Sequence, residues 1–311
     1  MPSAAFNPDT DIPDLSGKVI LITGGTAGLG AQTARQLAKH GPAHIYISGR
    51  NASGADTLIS QIQENTTTTT TKATLVTFLP CDLADLTSVQ QAASTFLAQE
   101  SHLDVLMCNA GIMARPPGLT TDGYEIQFGT NHLGHALLIQ KLLPRLQATA
   151  AEGHNVRVIL LTSLRFKMHP PGGIAFDALR TTQEYPAFAG WIRYGQSKLA
   201  NLLYARELAR RYPELTSISL TPGVVNTGLV GNLGCWNRAF VWVSNLGQVM
   251  KPAEGAYHQL WAAKTATAHL TNGGFYEPVG VLSSKLDSAA QHQELATRLW
   301  DWTDEALRPF L

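Results

Sequence analysis

The chain has 311 residues, 44% of them hydrophobic and 15% charged, against about 25% charged in an average soluble domain. Lys plus Arg and Asp plus Glu each number 23, so the formal charge is zero. A neutral chain lacks the positive field that supports nonspecific binding to nucleic acid or an anionic membrane, and this composition excludes a disordered chain, a collagen-like repeat and a disulfide scaffold.

Cys81, Cys108 and Cys235 are too few and too scattered for a zinc site or a disulfide framework, and fit a reducing compartment. The polar, proline-containing N-terminus has no apolar stretch typical of a secretory signal, and no apolar run approaches the roughly 18 residues a membrane helix needs. A soluble, cytoplasmic protein is expected.

Residues 1–16 carry Pro2, Pro8 and Pro13 and read as a flexible arm, with residues 17–311 as one domain. Lys18 to Thr23 (KVILIT) is a short apolar run that predicts a buried strand. A glycine-rich turn follows, then a helix from Leu29 to His40, stopped by Gly41-Pro42 because glycine accepts a left-handed cap and proline cannot continue a helix. A second strand is predicted from His44 to Ser48 and a helix from Asp56 to Glu64. The run of threonines from Thr66 to Thr71 disfavours helix and reads as a solvated loop. Next come a strand from Ala73 to Phe78, a helix from Asp85 to Glu100 with Asp85 as N-cap, and a strand from Leu103 to Cys108. A long helical region covers Thr121 to Leu146, and a fifth strand Val156 to Thr162. A helix follows from Trp191 to Tyr212, then a sixth strand from Ser217 to Thr221. Ala253 to Lys264 is helical, Gly274 to Tyr276 is a last short strand, and Ser288 to Leu307 is a closing helix. Strands alternating with helices imply βαβ units, hence a single α/β domain: a Rossmann-like, doubly wound parallel sheet with helices on both faces.

The run Thr23-Gly24-Gly25-Thr26-Ala27-Gly28-Leu29-Gly30 follows the first strand and opens a helix. Glycines there let the backbone turn sharply and approach a pyrophosphate, whose charge rests on the helix N-terminus. Gly24, Thr26, Gly28, Leu29 and Gly30 are the candidate cofactor contacts; a purely steric strand–helix turn is the alternative. At the end of the second strand, Ser48-Gly49-Arg50 lacks the acid that would bind the ribose 2′-hydroxyl of NAD and repel the 2′-phosphate of NADP. Arg50 can pair with that phosphate, so NADPH is expected in preference to NADH.

Tyr194 and Lys198, in YGQSK, face the same side of a helix one turn apart. The ammonium favours the phenolate and is expected to lower the phenol from its ordinary pKa of about 10. Asn109-Ala110-Gly111 closes strand four, Asn131 sits in the long helix, Ser163 ends strand five, and PGVVNT, Pro222 to Thr227, ends strand six. In an open α/β sheet ligands bind outside the carboxyl ends of the strands, and the strand-end candidates all fall there.

Taken in order, TGGTAGLG, CDL (Cys81 to Leu83), NAG, Asn131, Ser163, YGQSK and PGVVNT resemble the short-chain dehydrogenase/reductase family over Gly17 to Gly280. NHLGHALL from Asn131 and YGQSKLANLLYARELAR from Tyr194 are similar to its retinol-dehydrogenase-like members. The resemblance implies that Tyr194 gives or takes a proton, that Lys198 tunes it and binds the nicotinamide ribose, that Ser163 holds the substrate oxygen, and that Asn131 positions a water behind Lys198. It further implies Asp82 near the adenine, Asn109 on the adenosine side, and Val225 and Thr227 at the nicotinamide carboxamide. Many members have two adjacent serines at the end of strand five, whereas Thr162-Ser163 stands here.

Ser163 and Tyr194 as paired hydroxyl donors suit a carbonyl that gains negative charge on oxygen during hydride transfer. No metal is required: the histidines show no HExxH-type spacing, and His132 and His135 read as packing or surface residues. The stretch between Ser163 and Tyr194, with Pro170-Pro171-Gly172-Gly173, is expected to wall the pocket. Residues 229–251, apolar and rich in Trp236, Phe240 and Trp242, are expected to form a substrate lid, with a subunit interface or a membrane contact as alternatives. Trp300 and Trp302 read as packing residues.

The expectation is thus an NADP-dependent oxidoreductase, of ketoreductase type, acting on a small hydrophobic carbonyl or alcohol: a polyketide or other secondary metabolite, a steroid, a retinoid or a related lipid. An idle NADP-binding sensor or scaffold and a carbon–carbon double-bond reductase are the alternatives. Relatives associate through the helix carrying the Tyr–Lys pair, which would give a homodimer or homotetramer.

Overall fold

A computed structural model describes residues 6–66, 74–225, 231, 234–244 and 250–311. Among these described residues, eight strands form one sheet: β1 (Val19–Thr23), β2 (His44–Gly49), β3 (Leu75–Pro80), β4 (Val105–Cys108), β5 (Arg157–Leu161), β6 (Thr216–Leu220), β7 (Phe275–Glu277) and β8 (Val281–Leu282). Their order is β3-β2-β1-β4-β5-β6-β7-β8, parallel through β7. The reversal between β1 and β4 opens the crevice in which such sheets bind nucleotides. The antiparallel return of β8 against β7 is not anticipated by the sequence patterns; its two exposed residues carry no periodic signal.

Because helices cover both faces, the central strands are buried on both sides and their side chains alternate between two cores. Ile20 and Ile22 of β1 join Leu37, Ile45, Ile47 and Leu260 beneath the helices Gly28–Ala38 and Pro252–Lys264. Val19 and Leu21 point the other way, into a core with Phe96, Leu137, Leu203 and Trp300. That second core packs under the helices Leu86–Gln99, Gly134–Ala151, Ala189–Arg211 and Gln293–Leu307. Asp85 caps the first of these through the Thr87 and Ser88 amides, as its position before an apolar periodic run suggests.

The structure departs from the sequence reading in three places. Within the arm expected to be flexible, residues 6–16 are anchored: Pro8–Asp11 forms a helical turn capped by Asn7, Ile12 and Leu15 are buried, and Phe6 meets Tyr257 edge-on at 5.8 Å. The helical region expected over Thr121 to Leu146 starts later and contains a π-helical turn, Gly129–Leu133. Gly134 at its end lies so close to Leu83 that a Cβ there would come within 2.9 Å of the Leu83 Cβ. The closing helix breaks at His292, whose Nδ1 accepts from the Leu295 amide and caps a new start. Of the threonine run, Thr66 ends the helix Ala52–Thr66 and the rest lie outside the described residues. Among the described residues, no helix is long and apolar enough to cross a membrane.

Candidate active site

At the carboxyl end of β1 the backbone turns on Gly24 (φ +64°) and Gly28 (φ +54°), left-handed conformations that glycine adopts without strain. A Cβ on Gly25 would come 2.8 Å from the Ile47 Cβ, and one on Gly30 2.7 Å from the Asn109 amide nitrogen. The glycines therefore pull the turn onto β2 and β4. The helix Gly28–Ala38 begins after Ala27 with no side-chain cap, so its first amides are left to an anion. Asn109 braces the turn, donating to the Thr23 carbonyl at 2.7 Å and accepting from Gln259 at 2.9 Å. Gln259 is itself held by the Thr33 hydroxyl at 2.7 Å.

Thr26 packs against the end of β2 at Gly49, and Leu29 meets Val225 across Gly255. Arg50, mostly exposed, lies 3.8 Å from the Asp82 carboxylate, so the two residues expected at the 2′-phosphate and the adenine sit side by side. Val225 is buried and bridges Met250. Thr227 lies outside the described residues. A turn that admits backbone amides to an anion, an uncapped helix start and an exposed arginine at the end of β2 fit a phosphorylated dinucleotide.

The second half of the crevice lies at β5 and the helix Ala189–Arg211. Ser163 lies near the buried Tyr194 phenol and lowers its pKa against the effect of burial, while its own oxygen accepts from the Arg165 amide at 3.2 Å. Thr162 donates to the Lys198 carbonyl at 2.7 Å and ties strand to helix. The Lys198 ammonium donates to the Leu161 carbonyl at 3.0 Å and lies 5.8 Å from the Tyr194 ring centre. In the π-helical turn, the Asn131 amide pairs with the Ile112 N–H (2.8 Å) and carbonyl (2.9 Å) and donates to the Ser197 hydroxyl. Gly111 sits between Asn131 and Lys198: a Cβ there would be 3.2 Å from the Asn131 oxygen and 3.3 Å from the ammonium. All four expected catalytic residues thus converge on one rim.

The electrostatics differ from the sequence expectation. Burial pushes the Tyr194 phenol up to about 12, outweighing the opposing effects of Ser163 and Arg165. Burial also pushes the Lys198 ammonium down to about 8. The expected lowering of the phenol by Lys198 is therefore corrected to a net rise, because desolvation of an anion in this apolar setting dominates. The nearby cation that the sequence reading missed is Arg165, two residues beyond Ser163 on the same strand end.

An apolar wall stands over Tyr194. Trp191 meets the Tyr194 ring edge-on at 6.2 Å and Phe240 at 5.1 Å, and its indole N–H donates to Asn237 at 3.0 Å. Asn237, Phe240 and buried Val241 belong to the helix Cys235–Ser244, inside the segment expected to be a lid. Its outer side exposes Trp236 and Trp242. Residues 229–230, 232–233 and 245–249 of that segment lie outside the described residues.

His132 and His135 are buried packing residues: His132 accepts from or donates to Thr303, and His135 contacts Thr23 and the Asn131 carbonyl. Trp300 stacks on Tyr204 at 4.6 Å and Trp302 packs on Phe128. Among the described residues, one group could hold a metal, His102, Asp104 and His154. It sits at the amino ends of β1 and β4, away from the crevice, and Lys18 already ion-pairs with Asp104 at 2.9 Å.

A doubly wound sheet with a glycine-lined nucleotide turn and a hydroxyl pair at the facing strand end defines the class: a dinucleotide-binding oxidoreductase of Rossmann type. Comparison with known proteins names the family. The family model described as short chain dehydrogenase matches residues 18–179. A short-chain dehydrogenase/reductase of Armillaria gallica is 37% identical over 298 residues, covering 94% of this chain and 91% of that protein. Human retinol dehydrogenase 11 is 35% identical over 294 residues, covering 94% and 86%. A solved structure of an uncharacterized protein from Mycobacterium Paratuberculosis superposes with a TM-score of 0.73 at 29% identity, covering 97% of this chain and 98% of that one. The chain belongs to the short-chain dehydrogenase/reductase family, in its retinol-dehydrogenase-like subgroup, and is an oxidoreductase.

Proposed function

We propose that the protein is an NADP(H)-dependent oxidoreductase that interconverts a carbonyl and an alcohol on a bulky, largely hydrophobic substrate. The observation that carries this reading is the pairing of the Ser163 and Tyr194 hydroxyls beneath an apolar aromatic wall. Both hydroxyls can donate, which suits an oxygen that gains negative charge. Burial disfavours the Tyr194 phenolate, so the phenol is protonated near neutral pH and, in this reading, gives its proton to that oxygen in reduction and takes it back in oxidation. Lys198, one helical turn away, holds a positive charge below about pH 8 and is placed to bind ribose hydroxyls. Asn131 fixes the Ile112 backbone beside it and, in this reading, supports the proton path behind the ammonium.

The nicotinamide, when bound, supplies or accepts the hydride. Gly24, Thr26, Gly28, Leu29 and Gly30 would hold its pyrophosphate, with Asp82 and Asn109 on the adenosine side and Val225 and Thr227 at the carboxamide. Arg50 would bind the 2′-phosphate, since β2 ends without a competing acid of its own.

The wall of Trp191, Phe240 and Val241 supports an extended apolar substrate such as a secondary metabolite, a steroid or a retinoid. Relatives named retinol dehydrogenases are consistent with that class. In this reading the segment 229–251 acts as the lid, and a cytoplasmic location suits the buried free thiols of Cys81 and Cys108. The helix expected to carry subunit association is enclosed within one chain: from Trp191 to Ala209 only Ile192 and Arg206 are not buried. A homodimer or homotetramer would therefore use another surface. The reading is tested by screening hydrophobic ketones and alcohols with each nicotinamide cofactor, followed at the nicotinamide absorbance band. Turnover with NADPH is expected; turnover of none, or of NADH alone, contradicts it.

A further inference from the structure

The amino ends of β1, β4 and β5 lie side by side, at the end of the sheet opposite the crevice. Three side chains from the turns entering β4 and β5 meet there. His102, Asp104 and His154 each offer one ligand atom, and these atoms all lie within 4.8 Å of one another. The Asp104 carboxylate is buried, whereas the imidazoles of His102 and His154 are 23% and 32% exposed. His154 Nδ1 lies 2.7 Å from one carboxylate oxygen, and His102 Nε2 lies 3.5 Å from the other. The two rings stand edge to face with centres 5.3 Å apart.

Each of these atoms has a partner already. His102 Nε2 donates to the Gly17 carbonyl at 3.0 Å, and Asp104 accepts from the Val19 amide and the Lys18 ammonium, both at 2.9 Å. One ammonium balances the charge of the carboxylate, so two further imidazoles exceed what neutralising it requires. Imidazole nitrogen with carboxylate oxygen is the donor set of late first-row divalent ions, zinc among them. Ligand atoms on a tetrahedral zinc lie about 3.3 Å apart, and the separations of 2.7 and 3.5 Å bracket that figure.

We propose that His102, Asp104 and His154 form a binding site for a divalent transition-metal ion, a clasp across the starts of three neighbouring strands. The site is independent of the crevice and of the carbonyl–alcohol reading. On binding, each neutral imidazole carries its N–H on the other ring nitrogen, which frees a lone pair for the ion. For His102 that other nitrogen, Nδ1, has the Ser101 hydroxyl at 3.4 Å as its partner. The Lys18 ammonium, about a third exposed, gives up the carboxylate and moves into water. Lys18 is thus a competitor held within the site. Sequence spacing does not announce the group, because His154 stands fifty positions beyond Asp104.

Calorimetric titration of Zn²⁺ into the full chain, freed of metal by chelation and dialysis, tests the site at pH 7.5. One ion should bind per chain, and saturating Zn²⁺ should raise Tm by a few degrees, since the ion binds only the assembled strand ends. His102→Gln and His154→Gln should each weaken binding by about tenfold or more. Lys18→Met should tighten it severalfold, because a competing positive charge is removed. Circular dichroism of the metal-free variants checks that each is folded. If a glutamine variant fails to fold, Lys18→Met decides alone, since only an ion that shares the Asp104 carboxylate predicts tightening there. Absence of Zn²⁺ binding to the wild type overturns the proposal. So does an affinity unchanged in both glutamine variants, or one that is unchanged or weaker in Lys18→Met.

Discussion

On the nucleotide side of the crevice the sharp turns are made by glycine, Gly24 at φ +64° and Gly28 at +54°. On the substrate side Ala114 (+48°), Gln183 (+51°) and Phe188 (+53°) hold left-handed conformations although they carry side chains. Each costs roughly 1 kcal/mol or more. Buried Arg193 braces the first two: it donates to the Gln183 carbonyl at 3.0 Å and to the Arg115 carbonyl, next to Ala114, at 2.8 Å, and ion-pairs with buried Glu125 at 3.1 Å. One side makes its sharp turns with glycine, which needs no distant brace to hold a left-handed backbone. The other is assembled from distant segments, which leaves room to vary what it recognises.

The largest expected effect is at the junction of the two sides. Tyr194→Phe should lower kcat by about 10²- to 10⁴-fold, the usual worth of a positioned proton donor. Fluorescence titration with NADPH should show affinity nearly unchanged. Arg193→Met strips the substrate side of its brace and leaves Glu125 buried and unpaired. Urea unfolding should show a loss of about 3–5 kcal/mol. If the midpoint does not move, the brace is not what holds the left-handed residues. Arg50→Ala acts on the nucleotide side alone: it should weaken NADPH by roughly tenfold to a hundredfold and NADH little. Equal losses would remove the phosphate contact from the account.

The smallest effect is on stability. Burial lowers Lys198 from 10.5 to about 8, so between those values the unfolded chain binds more protons than the folded one and stability rises with pH. Below about pH 8 the fold carries a buried charge at a cost. Lys198→Met should therefore raise Tm by a few degrees at pH 7, with the gain shrinking as the pH rises from about 8 to 10.5. A lower Tm at pH 7 would mean that the bond to Leu161 outweighs the desolvation of the amine.

The same contrast explains what was legible in the sequence. The strands β1 to β6, their helices and the glycine turn are written in neighbouring residues, through apolar runs, caps and left-handed glycines, and each is found within a few positions of its expected place. Tyr194 and Lys198 share a helix face, so they too could be paired by spacing. The π-helical turn that carries Asn131 could not: Gly134 at its end packs on Leu83, over fifty positions earlier, a contact no local pattern announces. Arg165 stood two residues past Ser163 at a strand end, a signal in plain view, but its contacts with Trp191 and Phe240 join three separate segments. The sign of the Tyr194 shift was missed for the same reason: burial is a property of the assembled wall, whereas the pairing with Lys198 is local.

The central claim is that the carbonyl oxygen lies at Tyr194 while its carbon faces the nicotinamide. A single turnover with NADPH deuterated at the transferring position, on a ketone found in the screen, tests it directly. Deuterium should appear by NMR on the carbinol carbon of the product alcohol. Deuterium on a carbon of a reduced double bond, with the carbonyl intact, or its absence from the product would contradict the account.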